Sequence, residues 1–284
     1  MGRALAAHLV AAGLTVTGVD PSPDARAGAE AEGIASLGSI DEAGPVDAVL
    51  ASVPGPRELL PVAERCLDPD LGPPECLINL STIGPKAALE IAGRLAEGSP
   101  PVAFVEAPVT GGVLRARRRE CSILLGADDE EARAFARPLL EAMASRVIEL
   151  DGIRAASVAK LVNNVAAVSN ALGTLEALEL GAASGLELPE LFAVLEHGTA
   201  RSYVVESTLR RPLLEGDYDT GFAMRLALKD MRLALDWGAD LGLDLPRTWE
   251  LVRELQEGVD DGFGEKVFPV AGLRRNGLLA GARG

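Results

Sequence analysis

Histidine, cysteine and aromatic residues are all scarce in this 284-residue sequence: two His, three Cys, and Phe, Trp and Tyr together at 4%. Cys66, Cys76 and Cys121 form no CxxC pair and lie far apart, which argues against a disulfide framework and against a thiolate zinc site. His8 and His197 are too few for a histidine-rich metal site. All five read as packing or surface residues, and no metal is expected. No apolar run approaches the roughly 18–20 residues that cross a bilayer, and no basic segment leads into a continuous apolar stretch at the start. Positive charge is short as well. With 27 Lys and Arg against 42 Asp and Glu, the net charge is -15. The field of such a chain repels phosphate backbones and anionic membrane surfaces. Nucleic acid and membrane are therefore not expected as partners, and a cytoplasmic protein handling small ligands or other proteins remains. Apolar residues are abundant at 48%, enough to core one large domain or two ordinary ones.

The opening stretch MGRALAAHLVAAGLTVTGVDPSP reads from Leu5 as an amphipathic helix, a stop at Gly13 and a short β-branched strand ending at Asp20. That order is the second half of a dinucleotide-binding βαβ unit; the buried strand and glycine-rich turn of its first half do not precede it. Asp20 stands 18 positions after Gly2. If Gly2 is the last glycine of a G-x-G-x-x-G turn, this is the spacing of an acid that binds the adenosine ribose. Such an acid repels a 2′-phosphate and favours NAD over NADP, with Arg26 softening the preference. Asp20-Pro21-Ser22-Pro23 equally reads as a plain turn. A strand in the middle of the sheet, at roughly 1.5–3 kcal/mol per buried apolar residue, is worth about 8–15 kcal/mol. That rivals the whole net stability of a domain, roughly 5–15 kcal/mol. The expectation is accordingly that Met1-Gly2 is the tail of a glycine turn whose preceding strand was lost to a misplaced start codon or to trimming. The alternative is an N-terminally truncated, inactive binding or scaffolding protein.

From residue 15 to 150, apolar or β-branched runs alternate with helical patterns. The strand candidates are 15–19, 46–53, 76–80, 102–105, 122–125 and 146–150, most of them apolar throughout, as in strands covered on both faces. Segments 85–97 and 130–144 carry helical periodicity, and the acidic cluster 128–131 starts the second of them. This predicts an α/β domain over residues 1–150 with a Rossmann-type, doubly wound sheet lacking its first strand. Beyond Asp151 the strand signal stops. Helices are predicted over 155–184, 189–196, 224–241 and 246–257, giving an all-α domain over 151–284 built on one long helix. That helix is apolar round most of its circumference and reads as the domain axis or as a contact with a second subunit.

Four stretches carry possible chemistry. Thr110-Gly111-Gly112 follows a predicted strand, where glycine N–H groups and a hydroxyl suit a carboxylate; an ordinary glycine turn is the other reading. Lys160, Asn163 and Asn164 fall at i, i+3 and i+4 on one helix face, as an acid–base site or as a structural polar network. Lys229-Asp230 interrupts an apolar helix, either reaching an anionic ligand or lying on a solvated face. The run Arg115–Arg119 reads as a solvated loop.

The ordered set INLSTIGP (78–85), EAPVTGG (106–112), KLVNN (160–164) and KD (229–230) resembles the β-hydroxyacid dehydrogenase family, which includes 3-hydroxyisobutyrate dehydrogenase and tartronate semialdehyde reductase. The resemblance covers nearly the whole chain and implies an NAD(P)-dependent oxidoreductase interconverting a small β-hydroxyacid and its semialdehyde. It implies Lys160 as catalytic acid/base, Asn164 as substrate-holding residue, and Thr110, Gly111 and Gly112 as carboxylate-binding residues, with threonine where the family commonly has serine. It places Gly2, Asp20, Val53, Pro54, Thr82 and Lys229 along the cofactor, NAD or NADP. A small carboxylate-bearing substrate and a homo-oligomer, dimer or tetramer, are the implied partners. Imine reductases share the fold but generally lack the lysine, and 6-phosphogluconate dehydrogenase typically has His-Asn where this chain has Asn163-Asn164. Arg118-Arg119-Glu120 departs from the family, which usually has a small, glycine-containing segment there.

Overall fold

The computed structural model describes residues 1–69, 72–219 and 221–273; the end of the predicted second domain, beyond 273, lies outside them. The chain divides into two compact units, Met1–Lys160 and Leu161–Gly284.

The first unit alternates helices and strands: α1 Gly2–Ala11, β1 Thr17–Val19, α2 Pro23–Glu30, β2 Ala35–Leu37, β3 Ala48–Ala51, α3 Pro56–Cys66, β4 Cys76–Asn79, α4 Pro85–Ala96, β5 Ala103–Glu106, β6 Val109–Thr110, α5 Gly112–Arg117, β7 Ser122–Leu125, α6 Glu130–Met143 and β8 Arg146–Glu149. Local chemistry sets the starts. Proline stands in the first turn of α2, α3 and α4, where its missing N–H costs nothing. Ser22 and Asp129 cap α2 and α6 by accepting the Ala25 and Ala132 N–H groups. The strands β3, β4 and β5 pair in parallel, as do β1 with β2 and β7 with β8, while β6 runs antiparallel to β7. Every residue of β4 is buried, as a strand with layers on both faces requires. Among the described residues β1 pairs only with β2, and β3 only with β4, so each keeps one edge outside any ladder. The described strands form three sheets, β1-β2, β3-β4-β5 and β6-β7-β8, and this unit has two cores. One gathers Leu5, Ile78, Val105, Ile123 and Leu140; the other gathers Leu59, Leu77, Ile83, Ile91 and Leu95.

Several expectations needed correction. The run 46–53 narrows to four residues of strand, and β2 and β6 had no sequence signal. The segment 115–119 is solvent-exposed from Arg117 onward but is not a loop throughout: Arg115 to Arg117 close α5, and Arg119 takes φ 58, the left-handed conformation usually left to glycine. Its guanidinium reaches the Glu141 carbonyl at 2.7 Å. The three cysteines are buried, and burial pushes the Cys66 and Cys76 thiols up to about 11 and about 12.

The long helix α7, Gly152–Ala183, begins in the first unit and continues through the second. There it is joined by α8 Leu188–His197, α9 Met224–Asp240, α10 Pro246–Gly258 and α11 Val270–Leu273, with π-helical stretches at Val204–Leu209, Arg211–Glu215 and Val259–Phe263. Their core includes Leu172, Leu175, Phe192, Met224, Met231 and Leu255. Although α7 is apolar nearly all round, it is not buried on every side, for Val162 is 63% exposed and Leu180 72%. Among the described residues no helix is long and apolar enough to cross a membrane.

Candidate active site

Because β3, β4 and β5 run parallel, their carboxyl ends lie along one edge of the sheet, the place where open α/β sheets bind ligands. Val53 and Pro54 follow β3, and Thr82 follows β4. The Val53 N–H donates to Ser81 Oγ at 2.8 Å, which fixes the first of these loops beside the second. Asp20 leaves the carboxyl end of β1 exposed to solvent. Its Oδ1 accepts the Ser22 N–H at 2.9 Å, while Arg26 donates to the Asp20 carbonyl rather than to its carboxylate. The turn and the binding acid are thus compatible, one oxygen serving each. Gly2 opens α1, and a Cβ there would come within 3.3 Å of Ser52 Cβ, so the helix start passes close to the β3 loop. These residues fit a dinucleotide: an exposed acid, a glycine at a close approach and two strand-end loops.

Thr110 ends β6, which pairs with Ser122 of β7; the stretch therefore follows a second short strand rather than β5 directly. Gly111 and Gly112 take φ 119 and 75, conformations that disfavour a side chain. Both glycines are required by the turn, whatever else they bind.

Lys160 and Asn164 sit one turn apart on α7 and are 8% and 5% exposed. Asn163 is not on that buried face: it is exposed, and its Nδ2 donates to Asn164 Oδ1 at 2.9 Å. Asn164 Nδ2 donates to Asp230 Oδ2 at 2.5 Å, and Lys229 Nζ lies 2.8 Å from Asp230 Oδ1. That ion pair is close but not aligned as a hydrogen bond, since Asp230 Oδ1 has no hydrogen-bond donor. Asp230 is 2% exposed, so the Lys229-Asp230 pair is no solvated face. A carboxylate only accepts, which forces the amide nitrogen of Asn164 toward Asp230 and its oxygen toward Asn163.

Sequence reasoning missed Asn79, Ser81, Glu106 and Ser157, all buried polar residues. Asn79 and Glu106 end their strands in register, side by side. A polar residue closing an otherwise apolar strand, as in CLIN and AFVE, is the signal that was available. Among the described residues no group of three or more His, Cys, Asp or Glu is placed to hold a metal ion.

A family model described as the NAD binding domain of 6-phosphogluconate dehydrogenase matches residues 1–152, and one described as NAD-binding of NADP-dependent 3-hydroxyisobutyrate dehydrogenase matches 155–267. A probable 3-hydroxyisobutyrate dehydrogenase of Mycobacterium bovis is 33% identical over 256 residues, covering 87% of this chain and 85% of the relative. The NAD-dependent L-serine dehydrogenase of Pseudomonas aeruginosa is 30% identical, covering 82% and 80%. The crystal structure of 3-hydroxyisobutyrate dehydrogenase from Salmonella typhimurium superposes with a TM-score of 0.84 at 26% identity, covering 95% and 94% of the two chains. With an α/β unit bearing strand-end ligand loops, a helix carrying a buried lysine and asparagine, and these relatives, the chain belongs to the β-hydroxyacid dehydrogenase family, NAD(P)-dependent oxidoreductases acting on CH–OH groups.

Proposed function

We propose that this protein interconverts a small β-hydroxyacid and its semialdehyde, with Lys160 as the general acid and base. The observation that carries this reading is the burial of Lys160 one turn from Asn164 on α7, whose other polar side chains, Ser157 apart, are not buried. Buried polar groups are costly, and a lysine and an asparagine spaced i, i+4 on one helix face are placed to meet a common ligand. Residues 1–150 are assigned to the cofactor, and the all-α domain over 151–284 supplies Asn164 and Lys229.

When bound, NAD(P) supplies the hydride acceptor or donor. In the oxidising direction Lys160 Nζ takes the hydroxyl proton of the substrate; in reduction it returns that proton to the carbonyl oxygen. Asn164, its amide set by Asp230, holds the substrate oxygen beside Lys160. The hydroxyl of Thr110 and the backbone N–H groups of Gly111 and Gly112 hold the carboxylate, and the threonine methyl narrows the pocket relative to serine. Gly2, Val53, Pro54 and Thr82 line the cofactor, Lys229 adds a cation to cofactor or substrate, and Asp20 favours NAD through the ribose. The relatives named for serine and 3-hydroxyisobutyrate support a short carboxylate with a β-hydroxyl. The exposure of Val162 and Leu180 supports a homo-oligomer, dimer or tetramer.

Replacing Lys160 with alanine tests the scheme. The kcat with a panel of hydroxyacids and semialdehydes is expected to fall by about 10²–10⁴-fold, while NADH affinity, read by fluorescence titration, changes less than about twofold. A Lys160→Ala protein that keeps most of its kcat ends the assignment.

A further inference from the structure

The first unit contains a buried polar chain that the reaction scheme does not use. Glu106 ends β5 with 1% of its surface exposed. Asn79 Nδ2 donates to Glu106 Oε2 at 2.8 Å, and Asn79 Oδ1 accepts the Ser81 N–H at 3.0 Å. Ser81 Oγ accepts the Val53 N–H at 2.8 Å and donates to the Ala51 carbonyl at 3.3 Å. On its other side, Glu106 Oε1 is 2.8 Å from Ser157 Oγ of α7. The Glu106 backbone is fixed by a reciprocal pair with Gly126, at 2.9 and 2.8 Å. Ser157 precedes Lys160 by three residues, one turn of the same helix. The chain therefore runs without a break from the Val53 loop to the turn of α7 that bears the lysine.

A carboxyl buried this deeply is retained at a cost that an apolar residue of the same volume would not incur. Its two oxygens are spent on two partners from different elements. We propose that Glu106 is a positioning residue for Lys160: through Ser157 it fixes the lysine-bearing turn of α7, and through Asn79 and Ser81 it ties that turn to the Val53 loop. The inference rests on the reading of Lys160 as acid and base.

Among the described residues, the hydrogen-bond partners of Glu106 are uncharged: Asn79 from β4, Ser157 from α7 and the Gly126 backbone after β7. Along α7 the neighbouring cations are Arg154, which is exposed, and Lys160. Burial pushes the Glu106 carboxyl up to about 8, against the pull of its two donors, so it keeps its proton at neutral pH. The protonated group then offers one acceptor and one donor. Asn79 is held in orientation by the Ser81 N–H and must meet the acceptor, so the carboxyl O–H is directed at Ser157 Oγ. Glutamine reproduces this pattern, its oxygen toward Asn79 and its nitrogen toward Ser157. Above about pH 8 both oxygens accept, and the Ser157 hydroxyl must turn to donate.

The test uses full-length protein labelled with [ε-13C]lysine, in which the four lysines at 86, 160, 229 and 266 give four resonances. Lys160 is assigned by its loss in Lys160→Arg. Expected is a step near pH 8 in the Lys160 resonance of the wild type that is absent from Glu106→Gln, and a displaced Lys160 resonance at pH 7 in Ser157→Ala. Superimposable Lys160 titrations in wild type and Glu106→Gln, or an unmoved Lys160 resonance in Ser157→Ala, overturn the proposal. This readout requires no turnover, so its failure is distinct from failure of the Lys160 assignment, which kcat of Lys160→Ala reports. In turnover, Ser157→Ala and Glu106→Ala are expected to lower kcat about tenfold with NADH affinity within twofold, and Glu106→Gln to restore most of it. A Glu106→Gln protein as impaired as Glu106→Ala contradicts the positioning role.

Discussion

One carboxylate oxygen decides how Asp20 is used. Oδ1 holds the turn through the Ser22 N–H, and Arg26 is tied to backbone carbonyls at Asp20 and Pro21. The arginine therefore hydrogen-bonds the backbone and not the acid, which leaves the proposed preference for NAD resting on the Asp20 carboxylate. Replacing Asp20 with alanine is expected to shift the ratio of kcat/KM for NAD over NADP about tenfold toward NADP, equivalent to about 1.4 kcal/mol; an unchanged ratio removes Asp20 from the cofactor site. The spacing of Lys160 and Asn164 was legible because one helix turn brings i and i+4 together whatever surrounds them. The exposure of Asn163 was not, since which side of a helix is buried depends on neighbours supplied by remote sequence. The same holds for Asp230, which resembles a surface acid in sequence but is buried, with Asn164 and Lys229 as its polar partners.

The start of α7 is built by contacts that no local pattern encodes. Gly126, just past β7, lies so close that a Cβ there would run into the Gly152 carbonyl oxygen and stand 2.7 Å from Ala156 Cβ. Gly152 takes φ 83, and Asp128 Oδ1 accepts the Ile153 N–H at 3.1 Å. The acidic cluster thus serves two helices, Asp129 capping α6 and Asp128 binding the first turn of α7. Gly126→Ala is expected to cost about 1–3 kcal/mol in urea unfolding and to lower kcat, because the displaced element is the one that carries Ser157 and Lys160. A variant with wild-type stability shows that the strand end yields freely. The strands β2 and β6 escaped detection because neither lies in a longer β-branched or apolar run of the kind that marks β1 within residues 15–19. The helix α5 escaped because the two glycines and four arginines of the nine residues 111–119 resemble a loop, while only its place after β6 makes it turn.

For the molecule as a whole, Glu106 links global stability to pH. Its pKa rises from 4.5 unfolded to about 8 folded, so the folded protein holds a proton that the unfolded chain releases. The stabilisation is complete below about pH 4.5 and is lost progressively as pH rises toward 8, with a limiting slope of about 1.4 kcal/mol per pH unit. Self-repulsion at a net charge of -15 acts in the same direction, so the informative quantity is the difference between wild type and Glu106→Gln. That difference in Tm is expected to move against the wild type from pH 5 to pH 8; parallel curves mean that Glu106 is already ionised. The alternation of apolar strands with amphipathic helices, and the purely helical periodicity after residue 151, could be read directly because hydrophobic period is a property of consecutive residues. Motif order carried the family in the same way. The Asn79–Glu106–Ser157 chain, the pairing of Asn164 with Asp230 and the approach of Gly126 to α7 could not, because each joins residues at least 26 positions apart whose proximity exists only after the sheet and helices have packed.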